Sequence, residues 1–368
     1  MRVLVAPDKF RGTLTAREAA SAIATGWLRS RPADEIVQIP MADGGEGTLD
    51  ALVDATDGGR RTMLVEGPLG EPVEAEFGWL GNADPPVVVV EIARASGLEL
   101  VPPERREPMR ASTFGTGQLM LAACREGADE VIVCIGGSAS TDGGAGMAQA
   151  MGVRLLDASG DEIGRGGAAL LDLARIDLTT LDAAARRTRI VVASDVDNPL
   201  VGANGAAHAY GPQKGASAEE VLVLDRALGH LAALVYRDLM IDVRHVHGAG
   251  AAGGLGAGLV AFLGAKVRPG TEIVMEAVDF TSALAGADLV ITGEGAFDER
   301  SLDGKVPGGV ISAAVGEGVK VTVLCGRAVV RPPDVDVASL VERFGQARAL
   351  EDARRALEDL AALIAAEA

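Results

Sequence analysis

Residues 130–150 read EVIVCIGGSASTDGGAGMAQA, and this stretch decides the fold class. Glu130–Ile135 is short, apolar and β-branched, the pattern of a strand covered on both faces. It passes directly into Gly136-Gly137-Ser138-Ala139-Ser140-Thr141-Asp142-Gly143-Gly144-Ala145-Gly146, and a helical stretch resumes at Met147–Ala150. A buried strand, a glycine-rich turn and a helix are the repeating piece of a parallel α/β sheet.

The same pattern recurs on both sides. Arg2–Ala6, Glu35–Pro40, Val87–Ile92, Arg189–Ser194, Asp288–Thr292 and Lys320–Cys325 read as further buried strands. Thr15–Arg29 and Glu219–Arg237 read as helices between them. Thr15 with Glu18 forms a capping-box pattern, and Ser217 with Glu219 and Glu220 places acid in a first turn, where the helix dipole favours it. Thr62–Leu80 departs from the alternation. Its period-two pattern around Pro68-Leu69-Gly70 predicts an antiparallel hairpin. The chain is therefore expected to leave one α/β domain near residue 65, enter a second, and rejoin the first near 285. The tail from Ala347 predicts a helix packed on the outside of the first domain.

A chain of 368 residues exceeds a single core, so two domains agree with its length. A net charge of −18 argues against sequence-independent binding to nucleic acid or an anionic membrane. Three widely spaced cysteines imply no disulfide framework. The start MRVLVAPDKF lacks the apolar region of a signal peptide, and no apolar run is long enough to span a bilayer. These features predict a cytoplasmic protein without nucleic-acid or membrane partners.

Charged and glycine-rich clusters follow the predicted strands, where open α/β sheets bind their ligands. The first strand ends in Ala6-Pro7-Asp8-Lys9-Phe10-Arg11, which suits anion binding by Lys9 or a self-paired loop. The second ends in Asp43-Gly44-Gly45-Glu46-Gly47, where Asp43 and Glu46 suit a metal, or Asp43 a helix cap. Gly115-Thr116-Gly117-Gln118, after Ser112 and Thr113, suits an anion at a helix start. The Gly136–Gly146 loop suits a phosphate cradle, although it is neither a Walker loop nor a dinucleotide fingerprint.

Asp195-Val196-Asp197-Asn198 offers oxygen ligands or a base, or else an Asx turn before Pro199. Lys214 sits in a Gly-Pro-Gln-Lys-Gly turn fit to neutralise phosphate. Gly248–Gly258 suits a close-packed helix entry or another backbone anion site, with packing slightly favoured. Gly293-Glu294-Gly295-Ala296-Phe297-Asp298 with Lys305 again combines acid, glycine and a cation. The histidines lack a third metal ligand. Carboxylates, lysines and glycine-lined backbone, with no prominent His or Cys nucleophile, are the inventory of phosphoryl transfer.

In order and spacing, the segments APDKFRGTLTA, MADGGEGT, GPLGEPV, IARASGLELV, GTGQL, IGGSASTDGGAGMAQAMG, DVDNPLVG, GPQKGA, GAGAAGGLGAG and TGEG with a later Asp and Gly-Lys resemble the glycerate kinase family, bacterial glycerate 2-kinases included. The resemblance runs from residue 1 to about 310. It departs at Gln118, Ala296 and Arg300, where the family commonly has Glu, Arg and Gln, and in the region after Arg327. It implies ATP-dependent, Mg²⁺-assisted phosphorylation of D-glycerate on O2 or O3. It also implies a flavodoxin-like domain, residues 1–65 plus 285–368, interrupted by a second α/β domain of mixed sheet, residues 66–284. The active site is expected in the cleft between them, in a monomer or homodimer.

The expected catalytic groups are Lys9, Lys214 and, as base, Asp195. The expected substrate and nucleotide contacts are Asp8, Gly44, Gly45, Gly136, Gly137, Ser138, Asp142, Gly143, Asn198, Gly293 and Lys305. Asp43, Glu294 and Asp298 are the expected metal groups. Two readings of other classes stay open at this point: a nucleotide-dependent oxidoreductase and a non-catalytic sugar-acid sensor.

Overall fold

The structure, a computed structural model, describes residues 1–368. In chain order the strands of its two large sheets are β1 (Arg2–Val5), β2 (Glu35–Gln38), β3 (Gly59–Glu66), β4 (Pro72–Trp79), β5 (Val87–Glu91), β6 (Glu130–Cys134), β7 (Arg189–Ala193), β8 (Lys266–Arg268), β9 (Leu289–Thr292), β10 (Lys320–Cys325) and β11 (Asp336–Ser339). The chain divides into two compact units. One comprises Met1–Asp43, Asp50–Thr56 and Pro269–Ala368; the other comprises Gly44–Leu49 and Asp57–Arg268. No helix is long and apolar enough to cross a membrane.

The first unit carries a five-stranded, wholly parallel sheet in the order β2-β1-β9-β10-β11. Counting only this unit's strands, that order is 2-1-3-4-5, the flavodoxin-like arrangement, and it reverses direction between β1 and β9. Val3, Val5, Leu289, Ile291 and Leu324 bury one face against Ile23, Trp27, Leu357 and Leu360 of two long helices, Ala16–Ser30 and Ala353–Glu367. On the other side Val323 and Cys325 pack with Phe297 and Ile311. Burial on both faces explains why these strands read as unbroken apolar runs.

Helix Ala16–Ser30 begins as expected. Thr15 and Glu18 close a reciprocal capping box. A Cβ at Gly26 would lie 2.0 Å from the Glu358 carbonyl oxygen, so glycine is what lets the C-terminal helix pack this closely.

The second unit carries a six-stranded mixed sheet, β8-β7-β6-β5-β4-β3. β3, β4 and β5 form an antiparallel meander, and β5 to β8 run parallel. The hairpin is thus as predicted, its turn closed by the Gly67 amide donating to the Glu71 carbonyl. Val90, Val133 and Val192 pack within one core with residues of helices Phe114–Arg125, Ala145–Ala150 and Ala218–Leu239. Ser217 and Glu220 make the capping box of the last of these.

Some elements differ from expectation. β8 and β11 are short edge strands that the sequence pattern does not mark. The tail is two helices, Gln346–Glu351 and Ala353–Glu367, meeting at Asp352. The glycine run at 248–258 enters a helix through Ala252, Gly253 and Gly254, all at positive φ. A Cβ at Gly253 would fall 2.1 Å from the Ser140 carbonyl oxygen, and one at Gly258 2.4 Å from that of Gly143. The run is a close-packed helix entry, and it packs on the Gly136–Gly146 loop.

Candidate functional site

In the first unit the site residues stand where β1, β2 and β9 end. The strands continue to bond beyond their last residues. Ala6 N donates to the Ile291 carbonyl at 2.7 Å, Asp8 N to that of Gly293 at 2.8 Å, and Met41 N to that of Pro7 at 2.9 Å. The Thr292 hydroxyl donates to the Ala6 carbonyl at 2.8 Å. A Cβ at Gly293 would lie 1.8 Å from the Leu324 carbonyl oxygen, so only glycine fits between β9 and β10 here. These bonds hold Asp8 and Glu294 at the point where the sheet order reverses, the usual ligand position of the fold.

The two carboxylates are 6% and 8% exposed. Burial, reinforced by the charge of Asp43, raises Asp8 to about 7, against the lowering effect of Lys9 and its amide, which donates to Asp8 Oδ1 at 2.7 Å. Burial likewise raises Glu294, opposed by the Ser301 hydroxyl and Lys305 and assisted by Asp298 and Asp43. The structure therefore brings Asp8, Lys9, Asp43, Glu294, Asp298 and Lys305 into one electrostatic neighbourhood.

Asp298 is engaged in a structural task. Its Oδ1 accepts the amides of Arg300 at 2.9 Å and Ser301 at 3.3 Å, capping the helix Glu299–Leu302. Lys305 is the residue before the helix Val306–Gly316.

Mg²⁺ is implied by the expected chemistry. No group of three or more His, Cys, Asp or Glu side chains is arranged to hold a metal ion. The ion does not need one: it keeps several waters and takes one or two carboxylates together with substrate phosphates. Glu294 Oε1 is buried without a hydrogen-bond partner, and the neighbouring acids repel one another. Such a donor set fits a hard, hydrated cation.

In the second unit the Gly136–Gly146 loop leaves β6. Lys214, 2% exposed, donates through Nζ to the Ser138 hydroxyl at 2.8 Å and to the Ser140 carbonyl. Burial lowers it to about 7, and the charge of Asp142 acts in the opposite direction. The hydroxyls of Ser140 and Thr141 are buried without partners. Gly137 has φ +77° and looks onto Ala93. A Cβ at Gly136 would lie 2.8 Å from the Cα of Gly45, and one at Gly44 3.0 Å from the Cβ and carbonyl oxygen of Ala193. The Gly44-Gly45 turn therefore lies against the ends of β6 and β7.

Two expected contact residues prove to be internal. Gly143 has φ +61°, and a Cβ there would meet Leu231 at 2.4 Å, so it serves packing. Asp142 is fully buried, with both oxygens occupied by loop and helix donors. The GTGQ segment is also structural. A Cβ at Gly115 would meet the Glu66 carbonyl oxygen at 1.9 Å, and Gln118 Oε1 accepts the Glu66 amide at 2.7 Å.

Asp195 follows β7 and is half-buried. Asn198 spends its side chain on the loop itself, donating to the Asn204 carbonyl at 2.8 Å and accepting from the Tyr210 hydroxyl at 2.6 Å. His247 pairs with the exposed Asp197 at 2.6 Å. Sequence reading passed over Glu91, which is 1% exposed at the end of β5 and accepts the Leu49 amide at 2.7 Å. A lone acid closing an otherwise apolar strand was its signal.

The chain also has relatives of known kind. The family model described as the glycerate kinase family matches residues 3–368. A glycerate kinase of Halalkalibacterium halodurans is 51% identical over 324 residues, 88% of this chain and 85% of that protein. The glycerate 2-kinase of Escherichia coli K12 is 49% identical over 314 residues, 85% of this chain and 82% of that protein. A crystal structure from Salmonella typhimurium LT2, described as a glycerate kinase 2, superimposes with a TM-score of 0.88 at 43% identity, covering 100% of this chain and 98% of that one. The chain belongs to the glycerate kinase family.

Proposed function

We propose that the protein transfers the γ-phosphoryl group of ATP to O2 of D-glycerate, releasing ADP and 2-phosphoglycerate, in the cytoplasm. The observation that carries this reading is the pair of buried carboxylates, Asp8 and Glu294, set among Lys9 and Lys305 at the reversal point of a flavodoxin-like sheet. Acids and cations so placed suit a reaction whose catalysis is positioning and charge neutralisation.

Lys9 and Lys305 bind the anionic ends of glycerate and nucleotide. The loop Gly136–Ser138, carrying the Ser138 hydroxyl and stiffened by Lys214, binds phosphate oxygens. Asp43 and Glu294 would hold Mg²⁺, which when bound would supply charge neutralisation for the transferring group. Asp195 accepts the proton of the glycerate hydroxyl as the O2–phosphorus bond forms and the bond to the ADP oxygen breaks. Asp298 supports Glu294 by capping the helix that presents Ser301.

A coupled ADP-release assay with D-glycerate, followed by ³¹P NMR of the product, tests the reaction and its regiochemistry. Absence of glycerate-dependent ADP release ends the proposal, and a 3-phosphoglycerate signal corrects the acceptor oxygen. Full turnover by a folded Asp195→Asn variant removes Asp195 as base.

A further inference from the structure

One carboxylate in the second unit is fully buried and has both oxygens taken by protein donors behind the proposed phosphate loop. Asp142 Oδ2 accepts the Thr113 amide at 2.8 Å, the Thr113 hydroxyl at 2.9 Å and the Gly146 amide at 3.2 Å. Oδ1 accepts the Gly144 amide at 3.2 Å. Thr113 Oγ1 in turn accepts the Met147 amide at 2.9 Å. Three segments therefore converge on one side chain: the entry to helix Phe114–Arg125, the glycine loop, and the start of helix Ala145–Ala150. There is no slack around it. A Cβ at Gly146 would sit 2.1 Å from the Ser112 hydroxyl and 3.0 Å from Asp142 Oδ2 itself.

The other end of the same loop is held by Lys214, through Ser138 and Ser140. Ser138–Thr141 is thus suspended between a buried anion and a buried cation. A buried ammonium without a nearby negative charge gives up its proton, because desolvation penalises the charged form. Asp142 is the charge acting on Lys214 in the favourable direction. Two further acids stand nearby, Glu66 and Glu162, and both act on Arg165. The Arg165 guanidinium feels Asp142, and Arg106 reaches the Lys214 turn by donating to the Gln213 carbonyl at 3.0 Å. Of these acids, Asp142 is the one that acts on Lys214 itself.

We infer that Asp142 is a positioning residue of the kinase: through its own hydrogen bonds it fastens the Ser138–Thr141 loop, held at its other end by Lys214, to two helix starts. This inference rests on the phosphoryl-transfer reading for its kinetic consequences, though not for the state of Lys214. Burial raises the Asp142 carboxyl, opposed by the bonds from Thr113, Gly146 and Gly144; all four of these groups donate to the side chain, which acts toward them as an acceptor. Neutralising it loosens the loop and drops Lys214 further.

The test compares wild type with Asp142→Asn, Thr113→Val and Thr113→Ser in the full-length protein. The Lys214 titration is followed by NMR of ¹³Cε-lysine-labelled protein, assigned with Lys214→Met. In Asp142→Asn, the Lys214 midpoint and the alkaline limb of kcat/KM are expected to fall together by about one pH unit. The kcat is expected to fall roughly tenfold to a hundredfold with KM for both substrates little changed, the mark of a lost transition-state arrangement.

Thr113→Val, which leaves the acid in place and removes its hydroxyl donor, is expected to lower kcat about tenfold, and Thr113→Ser to restore it. If Asp142→Asn does not fold, this pair carries the decision: equal activity of the Val and Ser variants overturns the inference. A rise in KM with kcat unchanged would make Asp142 a substrate contact and overturn it, as would an unmoved Lys214 titration. Failure of wild type to phosphorylate glycerate defeats the proposed reaction alone, since the NMR titration still judges the Asp142–Lys214 link.

Discussion

The indole Nε1 of Trp27 donates to Asp34 Oδ2 at 3.0 Å, tying the buried ring of the first helix to the turn that precedes β2. That bond, with those from the terminal amine and Arg31, holds the Asp34 carboxyl down to about 2. Because the folded-state value lies below the unfolded one, the stabilisation is fully present above about pH 4 and is lost as pH falls toward 2. Asp34→Asn is expected to cost about 1 kcal/mol at pH 7, since solvent screens this carboxyl, and little at pH 2. Thermal unfolding of both proteins across this range checks it; equal losses at the two pH values would refute the assignment.

Gly293→Ala tests the strand packing behind Glu294. The added methyl has nowhere to go but into the Leu324 carbonyl oxygen, so β9 and β10 must separate. A destabilisation of about 1–3 kcal/mol is expected, with loss of activity beyond the unfolded fraction because Glu294 is the next residue. The readouts are the urea midpoint and kcat on the same preparation.

Asp8→Asn separates stability from function. Burial and the charges of Asp43 and Glu294 disfavour the Asp8 anion, so its neutral isostere is expected to raise Tm by several degrees. Activity is expected to fall at least tenfold, the trade commonly found at strained functional positions. An unchanged Tm would mean that the acids do not repel as described.

Asp298 distinguishes a cap from a ligand. Asn caps a helix about as well as Asp, whereas Ala costs about 1 kcal/mol. Asp298→Asn is therefore expected to retain Tm and the Mg²⁺ dependence of the rate, and Asp298→Ala to lower Tm alone. A shifted Mg²⁺ titration in Asp298→Asn would return this residue to the metal.

Much of the frame could be read from the chain. β1, β5, β6, β7, β9 and β10 are buried along nearly their whole length, and continuous burial writes itself as continuous Val, Ile and Leu. The Thr15–Glu18 box works because its bonds are local. β8 and β11 escaped because three or four residues at a sheet edge carry no period. The site was legible as clusters and not as roles. A spacing rule sees that Asp142 and Asn198 follow strands, but it cannot see whether a side chain turns toward a ligand or back into its own loop. Asp142 turns inward to Thr113, and Asn198 to Tyr210 and Asn204.

The pairing of β1 with β9 has a consequence for synthesis. Val3 bonds alongside Leu289, and the helix after β1 rests on residues 353–367, so the opening segment leaves the ribosome long before its neighbours exist. Residues 57–268 form a compact body with its own sheet and are complete while β9 is still untranslated. The body formed by residues 57–268 is therefore expected to fold first, while β1 and β2 wait for residues 269–368 before they have the rest of their sheet to join.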